Sequence, residues 1–226
     1  MTRAIVFDLD GTLVDSARDL AAAASELVVG FGGPPLEVAT VVPMVGDGAA
    51  RLVERALAHA GLDPGMPGAL DRFLAIYDRR LLEHTRPYDG MSEVLALLTR
   101  FGPLAVLTNK PRGASNAILE GLGLRGFFAE VIGGDGPFPR KPDPAGLRAL
   151  LAPTGGLGVM VGDSPADANT ARAAGCPFVL AAYGFGAAKF EAAIPPSGGV
   201  AGQPRELVSV VETLTLDAAR MPIVMR

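Results

Sequence analysis

The chain has 226 residues and a mass of 23.2 kDa, enough for one large domain or a core domain with a smaller companion. With 49% hydrophobic and 19% charged residues it can bury a sizeable core, and its 29 Gly and 19 Pro stay below the level of a low-complexity chain. A net charge of −4 and a pI near 5.2 argue against nucleic acid as a partner, because phosphate backbones are held by clustered cations.

The first element is Ala4-Ile5-Val6-Phe7, an apolar run of strand length that meets Asp8 at once. It is too short for the ~7–15-residue apolar region of a signal peptide. Helical patterns follow at 16–29, 36–42, 49–60 and 69–82, separated by Gly/Pro punctuation at 30–35 and 63–68. Phe7 and Leu104 are therefore almost a hundred residues apart, whereas a parallel crossover needs only a dozen or more. This all-helical insertion is expected to form a second domain over 16–85, a cap above a core domain of 1–15 and 86–226. Its hinges are expected near 14–16 and 86–90.

Beyond the insertion, helices at 91–101, 113–122, 145–151, 165–174 and 204–214 alternate with apolar runs at 104–107, 159–161 and 178–180. Val131-Ile132 is a weaker strand candidate. Short, wholly apolar strands between helices predict an α/β fold, a doubly wound parallel sheet of Rossmann-like form buried on both faces. The longest uncharged run, 173–188, is interrupted by Gly175, Pro177, Gly184 and Gly186, so no membrane span is expected. A single cysteine, Cys176, cannot close an internal disulfide. A soluble cytoplasmic protein is the expectation. The sequence leaves the role of the tail 217–226 open.

In a doubly wound sheet, ligands bind beyond the carboxyl ends of the strands. Asp8 and Asp10 follow the first strand, with Gly11 permitting a tight turn. Acidic residues there can simply cap a turn, but carboxylates at a buried strand end are costly unless paired or metal-bound. The same edge supplies Thr108-Asn109-Lys110, Lys141 within Arg140-Lys141-Pro142-Asp143, and Asp163 and Asp167 within Gly162-Asp163-Ser164-Pro165-Ala166-Asp167. Such an inventory suits phosphoryl transfer. Carboxylate oxygens suit Mg²⁺, a lysine and backbone amides suit phosphoryl oxygens, and an aspartate can become an aspartyl-phosphate.

In these residues the chain resembles the haloacid dehalogenase superfamily of phosphatases. The first motif stands as Asp8-Leu9-Asp10-Gly11-Thr12-Leu13, the second as Thr108, the third as Lys141 and the fourth as 162–167, in order over nearly the whole chain. The resemblance implies Asp8 as nucleophile and Asp10 as general acid/base. It implies Mg²⁺ on the carboxylates of Asp8 and Asp163 and the backbone carbonyl of Asp10. Thr108 and the amide of Asn109 would hold phosphoryl oxygens while Lys141 balances charge. Asp167 would orient Lys141 or a metal-bound water. Within the superfamily, the closer resemblance is to bacterial phosphoglycolate phosphatases. It is carried by Val45-Gly46-Asp47-Gly48-Ala49, Thr85-Arg86-Pro87-Tyr88, Thr108-Asn109-Lys110-Pro111 and Tyr183-Gly184-Phe185-Gly186.

The expected activity is Mg²⁺-dependent hydrolysis of a small phosphorylated metabolite, with 2-phosphoglycolate as the leading substrate. A sugar-phosphate phosphatase or phosphomutase on the same core is the nearest alternative, and a phospho-accepting signalling or binding module the alternative from another class. For substrate choice, the expectation falls on the Gly46-Asp47-Gly48 turn and Arg51 of the cap, with Asn109 and Lys110 from the core. A solvated helix face is the competing reading for Arg51. Gly121-Leu122-Gly123-Leu124-Arg125-Gly126 matches a dinucleotide fingerprint but closes a helix instead of opening one. His59 and His84 lack companion ligands at helix spacing, and Cys176 reads as a packed thiol.

Overall fold

Alternate residues of the first strand, β1 (Ala4–Phe7), go to opposite faces of a sheet and both faces are covered. Ile5 and Phe7 pack with Met91, Leu95 and Val106 on one side, whereas Ala4 and Val6 pack with Leu147, Met160 and Phe178 on the other. In this computed structural model, residues 2–190 and 198–220 are described. After β1 the chain forms a two-residue strand, β2 (Val14–Asp15), then α1 (Ala17–Gly30), α2 (Val38–Val41), α3 (Ala49–His59) and α4 (Ala69–Asp78). A second two-residue strand, β3 (Arg86–Pro87), leads into α5 (Met91–Leu98), β4 (Leu104–Leu107), α6 (Arg112–Gly121) and β5 (Phe128–Ile132). Then come α7 (Ala145–Leu151), β6 (Gly158–Gly162), α8 (Pro165–Ala174), β7 (Phe178–Ala181), β8 (Gly199–Ala201) and α9 (Glu206–Arg220).

The sheet has six strands in the order β5-β4-β1-β6-β7-β8, and every pairing is parallel. From β1 the chain winds outward through β4 and β5, then returns to β6 on the other side of β1. The reversal opens a crevice at the carboxyl ends of β1 and β6, where such sheets bind ligands. The expected α/β architecture is therefore present.

The helical insertion has an apolar cluster of its own. Leu20, Ala24 and Leu27 of α1 meet Leu52 and Leu57 of α3 and Phe73 of α4 there. At its root, β2 and β3 pair antiparallel, Val14 with Pro87 and Asp15 with Arg86, so the outgoing and returning chains form a short ribbon. Buried Asp19 of α1 ties the returning chain down. It accepts from the Thr85 amide (2.8 Å), the Thr85 hydroxyl (2.7 Å) and the His84 amide (3.0 Å).

Several element boundaries differ from expectation. The helix expected over 36–42 is only α2 followed by a 3₁₀ turn at Val42–Met44, where Pro43 has no N–H to continue an α-helical ladder. Those expected to reach 82 and 101 stop at Asp78 and Leu98. The weak strand at 131–132 extends to Phe128–Ile132, its exposed Ala129 and Glu130 being tolerated on the edge strand of the sheet. β8 was not foreseen: three residues beginning with glycine carry almost no strand signal. α9 runs on to Arg220, and the rest of the tail, 221–226, lies outside the described residues. Among the described residues no helix is long and apolar enough to cross a membrane.

Candidate active site

Three neighbouring strands end at the crevice, and each is followed immediately by a buried polar residue: Asp8 after β1, Thr108 after β4 and Asp163 after β6. The Asp8 amide donates to the Val161 carbonyl (2.9 Å), so the sheet ladder itself fixes the position of this carboxylate. One Asp8 oxygen lies 2.8 Å from Lys141 Nζ and accepts from the Leu9 amide at 2.7 Å.

Lys141 is held from several directions. Its ammonium lies 2.6 Å from Asp167 Oδ1. The other Asp167 oxygen accepts from the Ser164 amide (3.0 Å) and hydroxyl (2.6 Å), closing a capping box at the start of α8. Asp167 is thus locked by its own helix end while it aims Lys141 at Asp8. The Lys141 amide donates to Asn109 Oδ1 (2.9 Å), and Asn109 Nδ2 donates back to the Lys141 carbonyl (3.1 Å). The same Nδ2 reaches the Gly46 carbonyl of the insertion at 3.1 Å.

Asp163 sits in a cradle of glycines. A Cβ at Gly11 would fall 1.8 Å from its Oδ2, and Cβ atoms at Gly184 or Gly186 would each fall 2.7 Å from it. Gly11 also has φ +81°, a conformation that side chains disfavour. The Gly186 amide donates to Asp163 Oδ2 at 2.7 Å. Here glycine serves close approach to a carboxylate.

Asp8, Asp163 and Asp167 each offer an oxygen within 4.8 Å of the others, and all three are buried. Lys141 supplies one positive charge against three negative ones. Burial, and then the Asp167 carboxylate, push Asp8 up to about 7 against the pull of Lys141. Burial, followed by repulsion from Asp8 and Asp167, raises Asp163 well above the ordinary carboxylate range. Burial works against the Lys141 ammonium, yet Asp167 and Asp8 hold its pKa above the usual lysine value. An all-oxygen donor set with an excess of two negative charges fits a hard divalent cation, which would relieve this repulsion.

Asp10 faces the insertion. Its Oδ1 accepts from the Ser16 hydroxyl at 2.5 Å, and Lys110 Nζ lies 3.0 and 2.9 Å from its two oxygens. Lys110 also donates to Tyr77 Oη of α4 at 2.8 Å, and both side chains are buried. Burial opposes the charge of Lys110, but Asp10 and then Tyr77 keep its pKa above the usual lysine value. Burial pushes the Tyr77 phenol up to about 12, so its hydroxyl keeps its proton at neutral pH.

A cavity opens between the strand ends and the insertion, with Asp8, Asp10, Thr108 and Asp163 on one wall and Gly46, Gly48 and Tyr77 on the other. The structure thus gathers Asp8, Asp10, Thr108, Asn109, Lys110, Lys141, Asp163 and Asp167 at one edge, with Gly46 and Gly48 opposite. Arg51 is not brought there. It is absent from the cavity lining; its side chain is 65% exposed and pairs with Glu54 at 2.7 Å, one turn along α3. Here the solvated-face reading describes what is seen. Gly121 ends α6, and His59 is exposed. Cys176 is buried, its thiol raised to about 12 by burial.

Sequence reasoning missed Tyr77, Ser16 and Asp19. Tyr77 belongs to the apolar stripe of α4 with Phe73 and Ile76 and reads as core. Ser16 and Asp19 sit at the start of a helix, where polar residues are common. Gly184 and Gly186 appeared only as part of a short resemblance.

Comparison with known proteins supplies a further set of observations. A family model for haloacid dehalogenase-like hydrolases matches residues 2–175. The chain is 45% identical over 196 residues to a phosphoglycolate phosphatase of Rhodospirillum rubrum, covering 82% of this chain and 81% of that one. It is 43% identical over 188 residues to the phosphoglycolate phosphatase of Caulobacter vibrioides, covering 80% and 79% of the two chains. A crystal structure described as a predicted phosphoglycolate phosphatase from Haemophilus somnus superposes with a TM-score of 0.82 at 29% identity, covering 92% of this chain and 97% of that one. The parallel sheet, its carboxyl-edge aspartates and these matches agree: the chain belongs to the family of haloacid dehalogenase-like hydrolases.

Proposed function

We propose that this protein is a Mg²⁺-dependent phosphatase that hydrolyses 2-phosphoglycolate to glycolate and inorganic phosphate. The observation that carries the reaction type is the buried set of Asp8, Asp163, Asp167 and Lys141 at the strand-order reversal. The choice of substrate leans on the named activity of relatives 45% and 43% identical. In this reading residues 16–85 are a cap domain and 1–15 with 86–226 the core, consistent with the separate apolar cluster of the insertion. A cytoplasmic location suits so small and highly charged a substrate, which does not cross a membrane unaided.

Asp8 attacks phosphorus, forming its acyl–O–P bond as the P–O bond to glycolate breaks. Asp10 gives its proton to the departing glycolate oxygen. It then takes a proton from water as that water attacks the aspartyl-phosphate, releasing phosphate and restoring the Asp8 carboxylate. Thr108 and the Asn109 amide hold phosphoryl oxygens, and Lys141, held in line by Asp167, offsets charge between the nucleophile and the phosphoryl group. Asp8, Asp163 and the carbonyl of Asp10 would hold the Mg²⁺, whose charge stabilises the phosphoryl oxygens in the transition state. Ser16, bonded to Asp10 at the ribbon, sets the orientation of the acid.

The test is phosphate release from a panel of small phosphate esters, with Mg²⁺ and with a chelator. Turnover of 2-phosphoglycolate that requires the metal is the expected result. Metal-independent release, or preference for a sugar phosphate, would overturn the assignment.

A further inference from the structure

A phosphatase of this kind must recognise two ends of its substrate, and the residues on Asp8 account for only the phosphoryl end. Glycolate's far end is a carboxylate, two covalent bonds beyond the ester oxygen. Arg51, the cation expected to meet it, faces solvent. Among the described residues that line the cavity, Lys110 is the one cation.

Three features make Lys110 suited to that end. Its Nζ touches both oxygens of Asp10, the group assigned to the ester oxygen, so it stands one short step beyond the leaving atom. It is buried, where a charge-assisted hydrogen bond is stronger than at the surface. Its third partner is Tyr77 Oη, which accepts from Lys110 and whose own hydrogen has no acceptor among the described residues. Tyr77 is 3% exposed and lines the cavity, so a buried donor there is left unspent.

We infer that Lys110 Nζ and Tyr77 Oη form the receptor for the carboxylate of the leaving group, and that this pair sets the preference for an acidic over a neutral alcohol. A substrate carboxylate takes the free Tyr77 hydrogen and one of the two Lys110 contacts now spent on Asp10. Lys110 comes from the strand edge and Tyr77 from the insertion, so the receptor is complete only when the two parts meet as they do here. Phe73, stacked on Tyr77 at 5.9 Å between ring centroids, holds the phenol in place from the insertion side. The assignment rests on the phosphatase reading.

The experiment compares 2-phosphoglycolate with 2-hydroxyethyl phosphate, the same ester with a neutral end, and reads the ratio of their kcat/KM values. Lys110→Met should reduce this ratio by roughly 10–150-fold, the range for one charge-assisted hydrogen bond. Because Lys110 also touches Asp10, both substrates can lose some rate; the ratio isolates the carboxylate. Tyr77→Phe keeps the buried ring and removes a hydrogen bond to the same charged group, so it should lower the ratio by roughly 10–150-fold, mainly through KM for 2-phosphoglycolate. It keeps the idea testable should Lys110→Met fail to fold. Equal losses on both esters in Lys110→Met, or an unchanged ratio in Tyr77→Phe, would overturn this receptor while leaving the phosphatase reading intact. Wild-type protein that releases phosphate from neither ester would instead overturn the 2-phosphoglycolate phosphatase reading on which this receptor rests.

Discussion

At the scale of single residues, the two aspartates of the first motif are set apart by their partners. Asp8 is bonded to Lys141 (2.8 Å) and belongs to the carboxylate cluster whose donor set fits a divalent cation, a place that suits a nucleophile for a phosphoryl group. Asp10 points away, toward Ser16 and Lys110, which suits proton traffic with the leaving alcohol. Asp8→Asn should therefore abolish phosphate release. Asp10→Asn should slow it about 10²–10⁴-fold and let phosphorylated protein accumulate, because the second step lacks an activated water. Mass spectrometry after mixing with substrate reads the difference: an 80 Da adduct on about the scale of one phosphoryl group belongs to the Asp10 variant only. An adduct on the Asp8 variant would reverse the two roles. Asp167 acts one step further out, by aiming Lys141. Asp167→Asn should cost about 10–100-fold in kcat, and the loss should be similar for every ester because the phosphoryl group is common to all.

At the scale of elements, what the sequence makes readable and what it hides have different physical causes. Strands such as Ala4–Phe7 and Leu104–Leu107 are buried on both faces and read as unbroken apolar runs. The residue after each is forced to the carboxyl edge, so Asp8 and Thr108 could be placed from chain order alone. β8 and the β2–β3 ribbon could not, because they are two or three residues long and defined by a partner distant in sequence. Tyr77 was hidden for a related reason: it is apolar by position and polar only at its tip, and Lys110 reaches that tip from 33 residues away. The ribbon depends on Asp19, a buried carboxylate with three strong donors. Burial works against its charge, but the His84 and Thr85 bonds hold its pKa below the ordinary value. Asp19→Ala would leave the buried Thr85 amide and hydroxyl unpaired. It should lower stability by about 2–4 kcal/mol in urea unfolding, with Asp19→Asn recovering part of the loss. A change below ~0.5 kcal/mol in the Ala variant would mean that the ribbon is held by something else.

For the whole molecule, the consequence is a fold whose buried apolar clusters are distinct, joined by partly buried Leu81, with polar links across the junction at the site. The insertion cluster and the two sheet clusters share no buried residue, and Asn109–Gly46, Lys110–Tyr77 and Lys189–Val45 hydrogen bonds link the two sides. The site at that junction carries repulsion that the protein alone does not relieve, and stability should report it. Between the ordinary carboxylate value and about 7, folded Asp8 keeps a proton that the unfolded chain has lost. The folded state then binds more protons, so stability falls as pH rises through this window and stays lower above it. Asp163, raised by burial and by Asp8, acts in the same direction. Asp19 has the opposite sign: its contribution is present above the ordinary carboxylate range and is lost as pH falls through its depressed value. Metal-free protein should accordingly melt at a lower temperature at pH 8 than at pH 5. A divalent cation held by these oxygens would compete with the proton for them, so the rise in Tm on adding Mg²⁺ should be larger at pH 8. At a hundredfold excess over its dissociation constant the metal adds about 2.7 kcal/mol. Scanning calorimetry with chelator and with Mg²⁺ at both pH values, on wild type and Asp163→Asn, makes the check. A gain of the same size at pH 5 and pH 8, or one that survives in Asp163→Asn, would place the cation away from the buried carboxylates.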